Sequence, residues 1–320
     1  MIRAVLFRPN QPPRDAPEAD WTALLGEDHV ILWVDAEAPS REEFGEVART
    51  LALDPRVVER VRRVTRPATR IYRGHYLVTA QAVEVDERRM PRIVITELDI
   101  VVGGSFVLTA HDGPLRFLSD IQERTAAFAD VGAFDPSYLL YVLLDTLVSQ
   151  YTRELDEVED HVERLEEEIL SDPGRGGLSE AVVMQRHIHR LRRIISPHQE
   201  PFTALIAPDS PVTPENIETY FRDILARLNG LLERLDHVRD IVTGAYSLYI
   251  SNVSERSNQE LRVLTFLSAI FLPMTVITGI FGTNFKLGEY DYWQPFYVML
   301  AGLAIITIGM LVYFRQRRWL

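Results

Sequence analysis

The stretch VLTFLSAIFLPMTVITGIF, Val263 to Phe281, is 19 residues long and carries no charge. A helix rises about 1.5 Å per residue, so ~20 apolar residues are enough to cross the hydrocarbon core of a bilayer. A second run of the same length and kind, FYVMLAGLAIITIGMLVYF, extends from Phe296 to Phe314. Both are expected to be membrane-spanning helices. A buried soluble hairpin is the alternative, and length, flanking charge and aromatic placement all argue against it. Leu139 to Val148 is also apolar, but it is short and contains Asp145, so it reads as a helix of a soluble core.

Between the two runs lie 14 residues, too few for a domain. Phe285, Tyr290, Tyr292 and Trp293 in that loop suit a membrane interface, where amphipathic rings settle. The chain ends Arg315-Gln316-Arg317-Arg318-Trp319-Leu320. Positive flanks stay on the cytoplasmic side, so both termini are expected inside and the short loop outside, in a bacterial inner membrane. The N-terminal MIRAVLF lacks an apolar run long enough for a signal peptide, so the body is expected to stay in the cytoplasm. Two helices cannot enclose a conduction path by themselves. Anything that crosses must pass between several copies around an axis.

Charge is distributed unevenly. Residues 261–320 hold five basic and two acidic side chains; with −12 for the whole chain, the first 260 residues carry −15. So acidic a body argues against nucleic acid, whose phosphates demand Lys and Arg, and suits attraction or sensing of cations. There is no cysteine, which rules out disulfides and thiolate metal sites. No nucleophile, acid–base pair or phosphate loop stands out, so no enzyme activity is expected.

The expected fold class is an α+β membrane protein in three parts. Residues 1–134 form a cytoplasmic α/β domain, 135–260 a helical hairpin with a long stalk helix, and 261–320 the spans, about 263–281 and 296–314, with a short external loop. In the first part Ile31–Val34 reads as a strand. Ser40-Arg41-Glu42-Glu43 is a capping box opening a helix to about Leu53. Tyr76–Val85, Ile93–Val102 and Phe106–Ala110 are strands, with Gly103-Gly104 as a hairpin turn.

From Asp135 onward the pattern turns helical. Leu144, Val148, Tyr151, Leu155, Val158, Val162, Leu165 and Ile169 alternate steps of four and three, a heptad seam. The outer face of this helix is acidic, from Glu154 to Glu168, until Ser171-Asp172-Pro173-Gly174 breaks it. The next helix, about Leu178 to Ile195, is basic, and the two are expected to pack as an antiparallel hairpin. His187 and His189 project from divergent faces, which is poor for chelation. After Pro214 no proline occurs before Pro273, so residues from about Glu215 to Phe281 are expected to form one helix of roughly 100 Å. Such a rod can carry a domain movement to the membrane.

On the first span, Asn258, Leu261, Thr265, Ser268, Leu272, Thr275 and Gly279 follow three- and four-residue steps and make one stripe of polar, small or flexible residues. It contains no carboxylate. A small divalent cation such as Mg²⁺ gives up water reluctantly, and nothing anionic here would compensate its dehydration. Were such an ion to cross along this stripe, it would pass hydrated, its water shell donating hydrogen bonds to amide, hydroxyl and carbonyl oxygens. As alternatives, Ser268 and Thr275 are small residues at a helix–helix interface, and Leu261, Leu264 and Leu272 serve packing alone.

Asn258-Gln259-Glu260-Leu261 through Gly282-Thr283-Asn284-Phe285, the second span and the terminal Arg-Arg-Trp-Leu resemble the CorA family of divalent-cation channels, which also contains zinc transporters of the ZntB kind. Tyr220-Phe221-Arg222-Asp223 and Arg239-Asp240-Ile241-Val242 look like that family's long helix. The resemblance implies an oligomeric funnel, a homopentamer in the lipid bilayer with no nucleic-acid partner and no covalent cofactor. Divalent cations, Mg²⁺ with Co²⁺ or Ni²⁺ and in some relatives Zn²⁺, would be both substrate and regulator.

It also implies that Gly282, Thr283 and Asn284 form the selectivity filter, where the family usually has Gly-Met-Asn. On the residues alone, Gly282 and Asn284 equally suit a helix C-cap. Leu261, Leu264 and Leu272 would be constrictions that gate by dewetting. In the external loop, Lys286, Glu289 and Asp291 sum to −1, with Lys286 standing where relatives often carry an acid. Asp223 matches one acidic position of the family's intersubunit regulatory metal site, and as an alternative is a plain surface carboxylate. The opposing position falls near Gly74-His75-Tyr76, where His75 would favour a softer ion such as Zn²⁺. Two further readings stay open: a zinc transporter of ZntB type, with or without coupling to protons, and a membrane-anchored scaffold or sensor that conducts nothing.

Overall fold

The computed structural model describes residues 1–9, 11–27, 29–61, 66–86, 92–124, 135–171, 177–207, 215–282 and 293–316. They divide into two units. Met1–Glu166 with Ser179–Thr243 makes the first, and Glu167–Leu178 with Gly244–Leu320 the second.

The first unit is built on a seven-stranded sheet of order β2-β1-β3-β7-β6-β5-β4. Its strands are β1 (Ile2–Phe7), β2 (Arg14–Asp15), β3 (Ile31–Glu37), β4 (Ala68–Ile71), β5 (His75–Asp86), β6 (Arg92–Gly103) and β7 (Phe106–His111). All pairings are antiparallel except β3 with β7. The β6–β7 hairpin turns at Gly103, as its sequence predicts. A Cβ at that position would lie 2.2 Å from the Phe106 ring, so any other residue would force that ring to shift.

Leu32, Val34, Leu77, Val101 and Leu108 of the sheet form one buried cluster with Phe44 and Val47 of helix α2, Leu51 just after it and Val57 of α3. The short helix α1 (Trp21–Leu24) precedes these; α2 is Arg41–Thr50 and α3 is Pro55–Arg60. The capping box at Ser40 and Glu43 forms as expected. Helix α2 ends at Thr50, three residues before the expected Leu53. The Leu53 N–H bonds the Ala48 carbonyl at 2.9 Å and Ala52 takes φ 50°, a Schellman turn. Asp54 then caps α3, with Pro55 in the first turn.

Helix α4 (Arg116–Arg124) leads to α5 (Pro136–Ser171), α6 (Gly177–Ile195), a 3₁₀ turn (Ser196–His198) and α7 (Gln199–Leu205). Every residue of the expected seam, Leu144 through Ile169, is buried. The expected chain break after Ser171 falls at Asp172-Pro173-Gly174, outside the described residues.

The sheet and these helices are joined at the edge of β5. Strand β4 pairs β5 only as far as Thr79, leaving the next backbone groups on that side without a strand. His198 Nε2 accepts the Gln81 N–H at 3.0 Å, and the Tyr151 hydroxyl donates to the Gln81 carbonyl. Two side chains thus stand where a strand would, because buried backbone groups must be paired.

Helix α8 (Glu215–Gly282) is a single helix of 68 residues, about 100 Å long at ~1.5 Å per residue. It matches the expected rod. Helix α9 (Trp293–Gln316) contains the second apolar run. Both are long and apolar enough to cross a membrane, and both are exposed over that window.

Candidate functional site: the span of α8 and the Asp223 region

In the second unit, α8 and α9 meet along one face. Phe266, Ala269, Ile270, Pro273, Met274 and Ile277 are partly covered, and the Phe266 ring packs edge-on to Phe314 at 5.2 Å between centroids. Residues two apart on a helix lie about 200° around the axis. The stripe of Asn258, Leu261, Leu264, Thr265, Ser268, Leu272, Thr275 and Gly279 therefore faces away from α9. Each of these residues is exposed.

The hydroxyls on the stripe have a defined polarity. Thr265 Oγ1 donates to the Leu261 carbonyl at 2.7 Å, and Thr275 Oγ1 donates to the Phe271 carbonyl at 2.8 Å. Each hydroxyl has spent its one proton on its own helix, so what it offers outward is an acceptor oxygen. Acceptors suit a partner that presents only donors, as the water shell of a cation does. Gly282 is the last residue of α8. Thr283, Asn284, Lys286, Glu289 and Asp291 lie outside the described residues, as do Phe285, Tyr290 and Tyr292 of the aromatic loop.

The expected regulatory residues both belong to the first unit. Asp223 is exposed on α8. The arginines on either side of it are engaged elsewhere. Arg222 Nε donates to Glu218 at 2.9 Å; Arg227 pairs with Asp145 of α5 and donates to Ser149 Oγ at 2.9 Å. Among the described residues, no hydrogen bond or ion pair ends on Asp223.

His75 is placed otherwise. It is buried, its Nε2 accepts the Asp54 N–H at 3.3 Å, and its ring stacks on Tyr72. Burial pushes its pKa down, partly offset by the Asp54 charge and a hydrogen bond to the Arg73 backbone. No described contact joins His75 to Asp223.

The charged helices divide their partners in a way the hairpin reading misses. Between α5 and α6, His161 Nε2 lies 2.7 Å from Glu180 Oε1, the acid lying on the basic helix. The α5 acids Asp145, Asp156 and Glu159 pair instead with Arg227 and Arg234 of α8, and Arg192 of α6 pairs with Asp236 of α8. His161 and His187 line an open cleft between α5 and α6 together with Glu154, Glu157 and Asp160. Among the described residues, no group of three or more His, Asp or Glu side chains is arranged to hold a metal ion.

An α/β domain, a helical hairpin, one very long helix and a second apolar helix define a protein with two candidate C-terminal membrane spans. The chain belongs to the family described as CorA-like Mg²⁺ transporter protein, whose model matches residues 28–317. It is 27% identical over 312 residues to the cobalt/magnesium transport protein CorA of Thermotoga maritima, covering 97% of this chain and 86% of that one. The zinc transport protein ZntB of Photorhabdus laumondii is 24% identical over 251 residues, covering 76% and 74%. In fold the chain matches the complete CorA magnesium transporter structure from Methanocaldococcus jannaschii, with a TM-score of 0.82 at 20% identity over 99% and 98% of the two chains.

Proposed function

We propose that the protein is a channel or passive transporter for hydrated divalent cations, Mg²⁺ with Co²⁺ and Ni²⁺, working as a homo-oligomer, a pentamer, in a bacterial inner membrane. Both termini and residues 1–260 lie in the cytoplasm in this reading. One observation carries it: a stripe of outward acceptor oxygens without a carboxylate on the face of α8 that α9 leaves uncovered. Copies of the chain around an axis would turn that face into a path. Gly282, Thr283 and Asn284 form its outer filter, and the Leu261, Leu264 and Leu272 side chains close it by excluding water.

Cytoplasmic metal at Asp223 gates the path. His75 joins that site only if its bonds to the Asp54 and Arg73 backbone open. The family membership supports divalent-cation transport in general, while the choice of ion and the gating are this reading's own. A zinc-selective, proton-coupled transporter is the second reading, favoured by the similarity to ZntB. The test is flux of Mg²⁺, Co²⁺ and Zn²⁺ into vesicles carrying the wild type or Asn284→Ala. Loss of Mg²⁺ and Co²⁺ flux in the variant is expected; equal flux in both proteins removes Asn284 from the mechanism.

A further inference from the structure

The basic face of α6, expected from the sequence to lie on the acids of α5, is left over in the structure. Arg186, His189, Arg190 and Arg193 are exposed and form one row on α6, opposite the buried Met184, Ile188, Leu191 and Ile195. Among the described residues no ion pair ends on any of the four. Arg192, on the flank of the helix, is the base that reaches Asp236 of α8. On α5 the exposed acids Glu157, Asp160 and Glu163 are left in the same way, because Arg234 takes Asp156 and Glu159 instead. Each row is about 10 Å long at the rise of a helix.

Within one chain the two rows are out of register. His161 of α5 lies level with Glu180 of α6, so in the antiparallel hairpin Arg190 is level with Tyr151 and Arg193 with Val148. Glu163 and Arg190 are then ~18 Å apart along the axis.

We infer that the basic row of α6 docks on the acidic row of α5 in a second copy of this chain, joining neighbours around the axis. The inference rests on the reading of the protein as a homo-oligomer. Charge decides the occupant. Each copy carries −15 over its first 260 residues, so copies gathered around an axis repel one another. At physiological ionic strength the screening length is ~8 Å, which damps that general repulsion and spares pairs in contact. A free polyanion would meet the same repulsion with this row alone to offset it. A second copy brings complementary acids in a row of matching length. A ring also needs two different, complementary faces on every copy. The two rows supply them on a single hairpin.

The chain has no cysteine, so an introduced pair reports its own contact alone. Full-length protein carrying Arg190→Cys and Glu163→Cys is oxidised in membranes and run on a denaturing, non-reducing gel. A disulfide needs Cα atoms roughly 4–7 Å apart, so the two positions cannot bridge within one chain. A ladder of covalent multimers is expected, and neither single variant should give it. Reversing the row, with Arg186→Glu, Arg190→Glu and Arg193→Glu together, is expected to raise the concentration at which the detergent complex dissociates by about tenfold, the size of three exposed ion pairs acting together. Adding Asp160→Arg and Glu163→Arg is expected to restore it.

No ladder from a complex that native mass spectrometry shows to be oligomeric overturns the inference and leaves the oligomer standing. A wild type that is monomeric in lipid sinks the oligomeric reading, and the inference with it. Tripolyphosphate binding that the triple variant loses, without a ladder, assigns the row to an anionic ligand and also overturns the inference. If the cysteine variant does not assemble, the triple reversal and its rescue carry the test, and a triple variant that assembles like the wild type overturns the inference.

Discussion

Asp99 lies in the middle of β6, buried, with the Thr79 hydroxyl donating to it at 2.5 Å across the β5–β6 pair. Burial is the main cause that pushes its pKa up to about 7; Glu97 and Asp112 add to the rise, while Thr79 and Arg60 oppose it. A carboxyl whose folded pKa is raised contributes stability that is complete below its unfolded value of 3.8 and lost as pH rises through about 7. His198 works in the other direction. Burial pushes it down to about 4, so its contribution is complete above 6.5 and fades as pH falls toward 4. The two partly cancel in the parent protein, and substitution exposes each of them. Asp99→Asn removes one titration only. Melting in detergent is expected to move in the variant's favour between pH 4 and pH 8 by roughly 3 kcal/mol, at ~1.4 kcal/mol per pKa unit. A gap between the two proteins that stays constant over this range would mean Asp99 is ionised throughout.

In the proposed mechanism transport depends on helix α8, whose two faces differ. One packs on α9 through Phe266 and its neighbours; the other presents Thr265, Ser268 and Thr275. Thr275→Val keeps the shape, since valine is nearly isosteric, and deletes the acceptor. If the oxygen receives hydrogen bonds from the ion's water, Mg²⁺ flux falls severalfold while expression and assembly hold. If Thr275 only packs, flux is unchanged.

This face was legible in the sequence because a period of 3.6 residues is a local property. So were the seam of α5, the capping box at Ser40 and the β6–β7 hairpin. Strands β1 and β4 were not. Ile2–Phe7 serves in the sequence reading only to exclude a signal peptide, and Ala68–Ile71 is too short and too mixed to alternate. Each exists because a distant partner strand supplies its hydrogen bonds. Tyr151 reads from the seam as plain core, yet its hydroxyl closes the β5 edge. The pairing of Arg227 with Asp145 bridges 82 residues, and no spacing rule reaches that far. The proposed filter residues Thr283 and Asn284 rest on the family resemblance alone, because a Gly-x-Asn triplet by itself equally describes a helix cap.

At the scale of the whole molecule, charge and coordination chemistry point the same way. The first 260 residues carry −15, a field that gathers cations, but on the exposed stripe of α8 the negative charge stops. A path that stripped the ion would have to replace six tightly held waters, and neutral hydroxyls and amides around an axis are weak substitutes for carboxylates. A path that carries the ion with its shell needs only acceptors for the protons of its water, and the back-bonded threonines present such acceptors. The two routes predict different kinetics. Shell-intact passage makes flux depend on charge and hydrated size, so in the same vesicles Mg²⁺, which dehydrates reluctantly, is expected to move within about tenfold of Zn²⁺. An imposed pH gradient is expected to leave both rates unchanged. Mg²⁺ flux lagging Zn²⁺ by orders of magnitude would mean that protein atoms enter the inner coordination sphere, for which the stripe offers no suitable ligand. Zn²⁺ flux that follows the proton gradient while Mg²⁺ stays outside would transfer the chain to the zinc reading.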